Sequence, residues 1–403
     1  MMTATGVNAT YFTPALSLAK EVPARLRAET HRAAAMLADR TFTEVAVDGL
    51  DAMDAEISKT HADMASTKLV LSSGDSNRRL SSRIKDLSDE LKELTAAREE
   101  ASELLQTALR NYAEALRLAD LKDNSAFRFC ALWLANHDND KVNEVVASRL
   151  SQIPTHFFLP LVRQLTARIM LPNPSDRPTF AGNIYTLVRR LCLEHPFHTL
   201  YHVVFLATSE PGGGDGGAGV SGSSAGRQKT SRTSRRSMTP GTTAQTQRTM
   251  ATEKLVAELA SDQRGARVYR DVRRLCDALI DLSGITAAQN SRGAYMMPSS
   301  QIASMRDVQI PPPTCQLPVS ITGDYKGVPT IVKFASEIDI AGGLSRPKIM
   351  TCRCTGGLLH KMLVRAFAVP AICSHVLRRT PAAQERRGQR QRPTPRRSHG
   401  ASL

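Results

Sequence analysis

The stretch with the strongest chemical pattern is Ile340-Ala-Gly-Gly-Leu-Ser-Arg-Pro-Lys-Ile349, a glycine pair followed by a lysine in a β-forming run. Gly342 and Gly343 have no side chains to keep an anion from their backbone N–H groups, so such a turn can cradle phosphate oxygens. Lys348 could offer those oxygens a point charge from the following strand. The same residues also suit an ordinary hairpin with a strand-edge lysine, because a lone glycine pair is weak as a motif. Other groups invite metal. Cys352, Cys354, His360, Cys373 and His375 form C-x-C…H…C-x-H, which is not one of the common zinc spacings. His198 and His202 stand four apart on an expected helix, but no third ligand is placed near them, so capping and packing is the preferred reading. No metal site is expected.

The elements that would hold these residues are mostly helical. No proline occurs between Pro23 and Pro154, and Gly49 and Gly74 are the only glycines there, as long helices require. Leu80, Ile84, Leu87, Leu91, Leu94, Ala101, Leu105, Ala108, Tyr112 and Ala115 make one apolar stripe at spacings of three and four, broken where Arg98 occupies the seam. That stripe suits either a dimeric coiled coil or a long helix packed against its neighbours. Further helices are expected over 126–136, 157–170, 180–193 and 199–206, with prolines in the links. Another begins near Thr252, and a stripe from Val268 to Leu282 ends at Gly284. Residues 211–247 are rich in Gly, Ser, Thr and Arg and read as a flexible insert. After Pro311-Pro-Pro313, short strands are expected at 317–321, 330–334 and 337–340.

Charge argues against a nucleic-acid-binding face. The net charge is +15, of which residues 209–250 carry +4 and residues 351–403 carry +10, leaving +1 for the rest. Positive charge confined to tails and inserts is a solvated run rather than a structured face, so specific nucleic-acid binding is not expected. No apolar run reaches the roughly 18 residues of a membrane helix. The N-terminus lacks a signal-peptide pattern, and seven scattered cysteines suit a reducing cytosol or nucleus.

Several stretches resemble the ATM branch of the phosphatidylinositol 3-kinase-related protein kinases. Phe127-Arg-Phe-Cys-Ala-Leu-Trp-Leu-Ala-Asn136 and residues 153–168 are similar to helices late in that family's FAT domain. Glu194-His-Pro-Phe-His-Thr-Leu-Tyr-His202 resembles its His-Pro-x-His-Thr-Leu element, and 273–280 a helix preceding its kinase domain. Val308-Gln-Ile-Pro-Pro312, Thr322-Gly-Asp-Tyr325 and 340–349 resemble the opening of the kinase N-lobe. The shared order runs from Phe127 to Met350.

The resemblance implies a mainly α fold: an antiparallel helical-repeat scaffold, then a few antiparallel strands of an incomplete N-lobe. It implies ATP and Mg as cofactors of the intact family, with Gly342, Gly343 and Lys348 on the ATP side, and a nuclear kinase of DNA-damage and telomere signalling. The expected divisions are a poorly defined segment over 1–43, FAT-like helices over 44–208, a disordered insert over 209–250, helices over 251–300, the N-lobe opening over 301–350 and a divergent basic tail over 351–403. No Asp-Arg-His…Asn loop or Asp-Phe-Gly follows Met350, and His137-Asp138…Asn143 lies upstream in helix, a coincidence. The expectation is a truncated or frame-shifted gene product, binding no nucleotide and inactive by itself. The rival is a non-catalytic helical scaffold that docks protein partners or forms a homodimer through the 80–115 stripe.

Overall fold

A computed structural model describes residues 23–72, 78–172, 177–208, 240–342 and 346–365. Helices α1 (Ala24–Val45) and α2 (Leu50–Ser72) lead into α3 (Arg78–Leu118), which has 41 residues. Gly49, at φ +88°, makes the break between α1 and α2, a left-handed backbone that favours glycine. Helix α3 runs back past both. His31 Nδ1 lies 2.8 Å from Asn111 Oδ1 near one end, and Arg98 grips Asp54 through two bonds of 2.8 and 2.9 Å at the other.

The C-terminal half of the apolar stripe is covered within the chain, while Leu80, Ile84, Leu91 and Leu94 are half-buried. Leu87, Ala101, Leu105, Ala108, Tyr112 and Ala115 are buried, and Arg98 breaks the seam because Asp54 faces it. Helix α1 achieves its close approach with alanines: Ala28, Ala34, Ala35 and Ala38 are all buried. Among the described residues the scaffold's first helix starts at Ala24, inside the segment expected to be poorly defined; residues 1–22 lie outside the described residues.

Helices α4 (Ser125–Ala135) and α5 (Asp140–Leu150) follow, the latter capped by Asn139, whose side chain accepts from the Val142 N–H. The helix expected over 157–170 is instead a 3₁₀ segment, Thr155–Leu161, leading into the short α6 (Val162–Thr166). Pro160 sits inside the 3₁₀ segment, and its missing N–H and ring disfavour a continuous α-helix there. Then come α7 (Phe180–Glu194), α8 (Pro196–Thr208), α9 (Pro240–Ser261) and α10 (Ala266–Gly284). Residues 240–250, expected within the insert, thus belong to α9; the rest of that insert lies outside the described residues. The stripe on α10 is realised by buried Tyr269, Val272, Leu275, Ala278 and Leu282.

The chain then forms β1 (Tyr295–Met296), the short α11 (Ser300–Ser304), β2 (Ile331–Ile340), β3 (Lys348–Cys354) and β4 (Leu359–Val364). These strands make one antiparallel sheet in the order β1-β2-β3-β4. The two strands expected at 330–334 and 337–340 are one strand with a register irregularity between Phe334 and Ile338. Residues 317–321 form no strand, and Val319 and Ile321 are exposed rather than packed on the sheet.

The larger correction is at 351–365. Expected as the start of a basic tail, these residues complete β3 and all of β4. Lys348, Met350, Cys352 and Cys354 alternate inward along β3, whereas Arg353 is exposed, so the basic residues ride the outer face of a strand. Gly356 and Gly357, at φ +73° and +77°, make the connecting turn. Residues 366–403 lie outside the described residues. The sheet packs on the helices through one continuous apolar core that joins Trp133 and Leu187 to Ile331, Met350 and Met362.

Candidate nucleotide-side hairpin and its junction with the helices

Strands β2 and β3 bring Ile340 directly opposite Lys348, and the Ala341 N–H donates to the Pro347 carbonyl at 2.9 Å. Residues 340–342 and 346–349 are therefore adjacent along the antiparallel β2–β3 pair, and 343–345 between them lie outside the described residues. Gly342 is exposed, and no atom lies within 4 Å of where a Cβ would stand. Gly343 lies outside the described residues.

Lys348 has a different environment. Only 8 % exposed, it donates through Nζ to the Ser283 carbonyl at 3.2 Å, in the last turn of α10. Burial lowers its pKa. A lysine on a helix C-terminal carbonyl satisfies an orphan acceptor and meets the negative end of the helix dipole. It borders a cavity of about 220 Å³ lined by Ser283, Gly284, Ile285, Tyr295, Ile340 and Arg346 among others, and Gly342 is not in that wall. Gly342 is thus open to solvent, while the lysine amine donates to the helix end.

Replacing Lys348 with Met keeps the stem and removes the charge. We expect the α10 terminus to loosen and stability to fall by about 1.5–3 kcal/mol, the range for losing a charged hydrogen bond. Urea unfolding followed by circular dichroism reads this, and an unchanged midpoint would contradict the capping role.

A second contact secures the sheet's leading loop to the helices. Tyr325 Oη lies 2.6 Å from His195 Nδ1, and its ring packs against His195, Phe197 and His198 at the start of α8. Gly323, at φ +72°, lets the loop lie flat on α7; a Cβ there would stand 2.8 Å from the Glu194 carbonyl oxygen. Tyr201 Oη donates to the Pro311 carbonyl at 3.0 Å, and the Gln309 N–H donates to Asp271 at 3.0 Å. The resemblance marked the neighbourhoods of His195 and Tyr325, but nothing in either pattern pairs them across 130 residues.

His195 is buried, and desolvation pushes its pKa down to about 4; Glu194 opposes that shift, while His198 and His156 add to it. His156, His198 and His202 are also shifted down, each chiefly by burial. The folded state therefore favours neutral rings. Their contribution is present above the ordinary histidine pKa of 6.5 and is lost as pH falls from there toward 4. For His195 the effect is at most about 3 kcal/mol. The urea midpoint is expected to drop between pH 6.5 and 4.5, and a His195→Gln variant should show a shallower drop. Equal pH slopes in the two proteins would contradict this.

The remaining sequence candidates resolve into structural roles. Asn143 is buried, receives the Trp133 indole N–H at 3.2 Å and donates to the His137 carbonyl at 2.7 Å, so this trio braces a helix junction. Cys352 and Cys354 are buried with their Sγ atoms 4.0 Å apart, and His360 pairs across from Cys352. Cys373 and His375 lie outside the described residues. Among the described residues no group of three His, Cys, Asp or Glu side chains is arranged to hold a metal, and no helix is long and apolar enough to cross a membrane.

No protein-family model matches the chain. It is 31% identical over 287 residues to the serine/threonine-protein kinase tel1 of Aspergillus oryzae, covering 70% of this chain and 9% of that protein. It is 29% identical over 278 residues to the serine-protein kinase ATM of Sus scrofa, covering 68% of this chain and 9% of that one. The chain thus spans about a tenth of the length of these curated relatives. Its fold superposes on the FAT and kinase domain of CtTel1 with a TM-score of 0.68 and 24% identity, over 90% of this chain and 23% of that one. A symmetric "butterfly" Tel1 kinase dimer matches with a TM-score of 0.58 and 20% identity, over 81% of this chain and 14% of that one. The chain is a homologue of the Tel1/ATM serine/threonine-protein kinases, matching a short stretch of them in which α-helices pass into an antiparallel sheet.

Proposed function

We propose that this chain supplies the last FAT helices and the opening N-lobe strands of an ATP-dependent serine/threonine kinase, and that residues 341–347 are its phosphate loop. The observation that carries this reading is the antiparallel hairpin with Gly342 open at its tip, set directly against the helical stack. ATP with Mg would supply the transferable phosphoryl group. The chain's own part would be to present Gly342 and Gly343 backbone N–H groups to phosphate oxygens. Lys348 ties β3 to α10 through one of its three ammonium N–H donors, and the other two could be offered to the phosphates.

The sequence contains no Asp-Arg-His…Asn or Asp-Phe-Gly element, and we expect no phosphoryl transfer from the isolated polypeptide. With MgATP and a Ser-Gln peptide, the purified chain should give no more phosphopeptide than its Lys348→Ala variant. Turnover above that control would overturn the expected inactivity.

The same reading places the protein in the nucleus, in DNA-damage and telomere signalling, with protein partners on its helical surfaces. Similar Tel1 structures are dimers, which favours homodimerisation as a second property. Light scattering should then report twice 43.9 kDa. A monomer at all concentrations would remove it.

A further inference from the structure

A groove of about 720 Å³ opens between α8, α10 and the end of β4. Its walls include Tyr201, Leu279, Ile280, Leu363 and Val364, with Arg163, His202 and Arg365 at the polar positions. Ile280 is 44% exposed and Leu363 58% exposed, so apolar side chains on two different elements stand open toward the same space. Apolar surface gathered in a concave site is stabilised in proportion to the area that a partner removes from water.

The chain itself places a matching segment at the groove's edge. Leu363, Val364 and Arg365 belong to the wall, and the next residues are Ala366-Phe-Ala-Val-Pro-Ala-Ile-Cys-Ser-His-Val-Leu377, without one Asp, Glu, Lys or Arg. Charge returns only at Arg378 and Arg379. A segment tethered directly to the groove has almost no loop to close, so its effective concentration there far exceeds that of any free partner.

We propose that residues 366–376 dock intramolecularly in the groove between α8, α10 and β4, with Phe367, Val369 and Ile372 as the apolar anchors. The segment caps the apolar junction of helices and sheet, and the arginine-rich residues beyond it stay in water. Self-docking places the apolar part of a seemingly featureless tail in the folded body.

Amide hydrogen exchange on the full 403-residue chain tests this directly. In the wild type, amides 367–373 should exchange at least about tenfold slower than an unstructured peptide of the same sequence. A groove-wall change, Ile280→Asp, should return them to the free rate. Phe367→Asp should raise exchange in the groove walls at 199–206 and 276–283 while leaving α7 unchanged, which confirms that the variant is folded. Free-rate exchange of 367–373 in the wild type would overturn the proposal. So would protection that vanishes on dilution, because the groove would then be filled by a second copy of the chain.

Discussion

Trp133→Ala is expected to destabilise the protein by about 3–5 kcal/mol, the range for deleting a buried tryptophan. Trp133 is fully buried, and its ring meets Phe180 edge-on with centroids 5.5 Å apart and Phe129 at 6.4 Å. Its indole N–H satisfies Asn143, which in turn receives the Asn183 side chain at its backbone carbonyl, 2.9 Å away. The substitution therefore opens a cavity and strands a buried amide oxygen, which adds about 1–3 kcal/mol. Both losses fall where α4, α5 and α7 converge, so the helical platform under α8 should loosen with them. Domains are commonly stable by only about 5–15 kcal/mol, so much of the variant should be unfolded at 37 °C. This is the chain's only tryptophan, and its fluorescence in the parent protein reports this core alone. Urea melts by circular dichroism should show the loss, while Trp133→Phe should retain most of the stability. A shift below about 1 kcal/mol for the alanine variant would contradict the packing described here.

The second large effect is expected at Asp39. This buried carboxylate accepts from Tyr112 Oη at 3.0 Å and from two nitrogens of Arg128, at 2.9 and 2.5 Å. It is the node through which α1, α3 and α4 meet. Removing one member of a buried ion pair leaves the others desolvated and unpaired, at a typical cost of about 3–5 kcal/mol. Arg128 is 48% exposed and can recover water, so the lower end, about 3 kcal/mol, is expected for Asp39→Ala. Tyr112 cannot turn to water as readily, and burial together with the Asp39 charge holds its phenol protonated well beyond the usual range. A double-mutant cycle with Arg128→Met should show coupling between the two residues; strictly additive losses would contradict a shared node.

Much of this architecture was legible because helices advertise themselves through periodicity. The stripes ending at Ala115 and Leu282 each produced a helix with that face inward. The FAT-like order from Phe127 onward was equally visible. Helix α1 was not, because its core face is alanine, which carries too little apolar contrast to stand out from its surface residues. Strand β4 escaped for a related reason: His360, Lys361 and the preceding glycines resemble tail composition, and Met362 is its one buried anchor.

Partner choice lay further out of reach. The glycine pair is a local pattern, but the Lys348 contact with the Ser283 carbonyl spans 65 residues, and no local pattern announces it. Local sequence specified the turn and the charge, and tertiary packing decided where the charge points.

Backbone amide shifts during a MgATP titration test the phosphate-loop reading most directly. Half of a two-lobed pocket is expected to retain no nucleotide, so the test reads transient contact: with the full chain labelled with ¹⁵N, millimolar MgATP should move the Ala341, Gly342 and Gly343 signals first, with smaller changes at Lys348 and none in α1–α3. Replacing Gly342 with Asp should abolish those shifts without disturbing β2 or β3. Signals at 341–343 that stay fixed while the arginine-rich residues after 377 move would show the nucleotide meeting only a basic tail, and the hairpin would then be a structural turn.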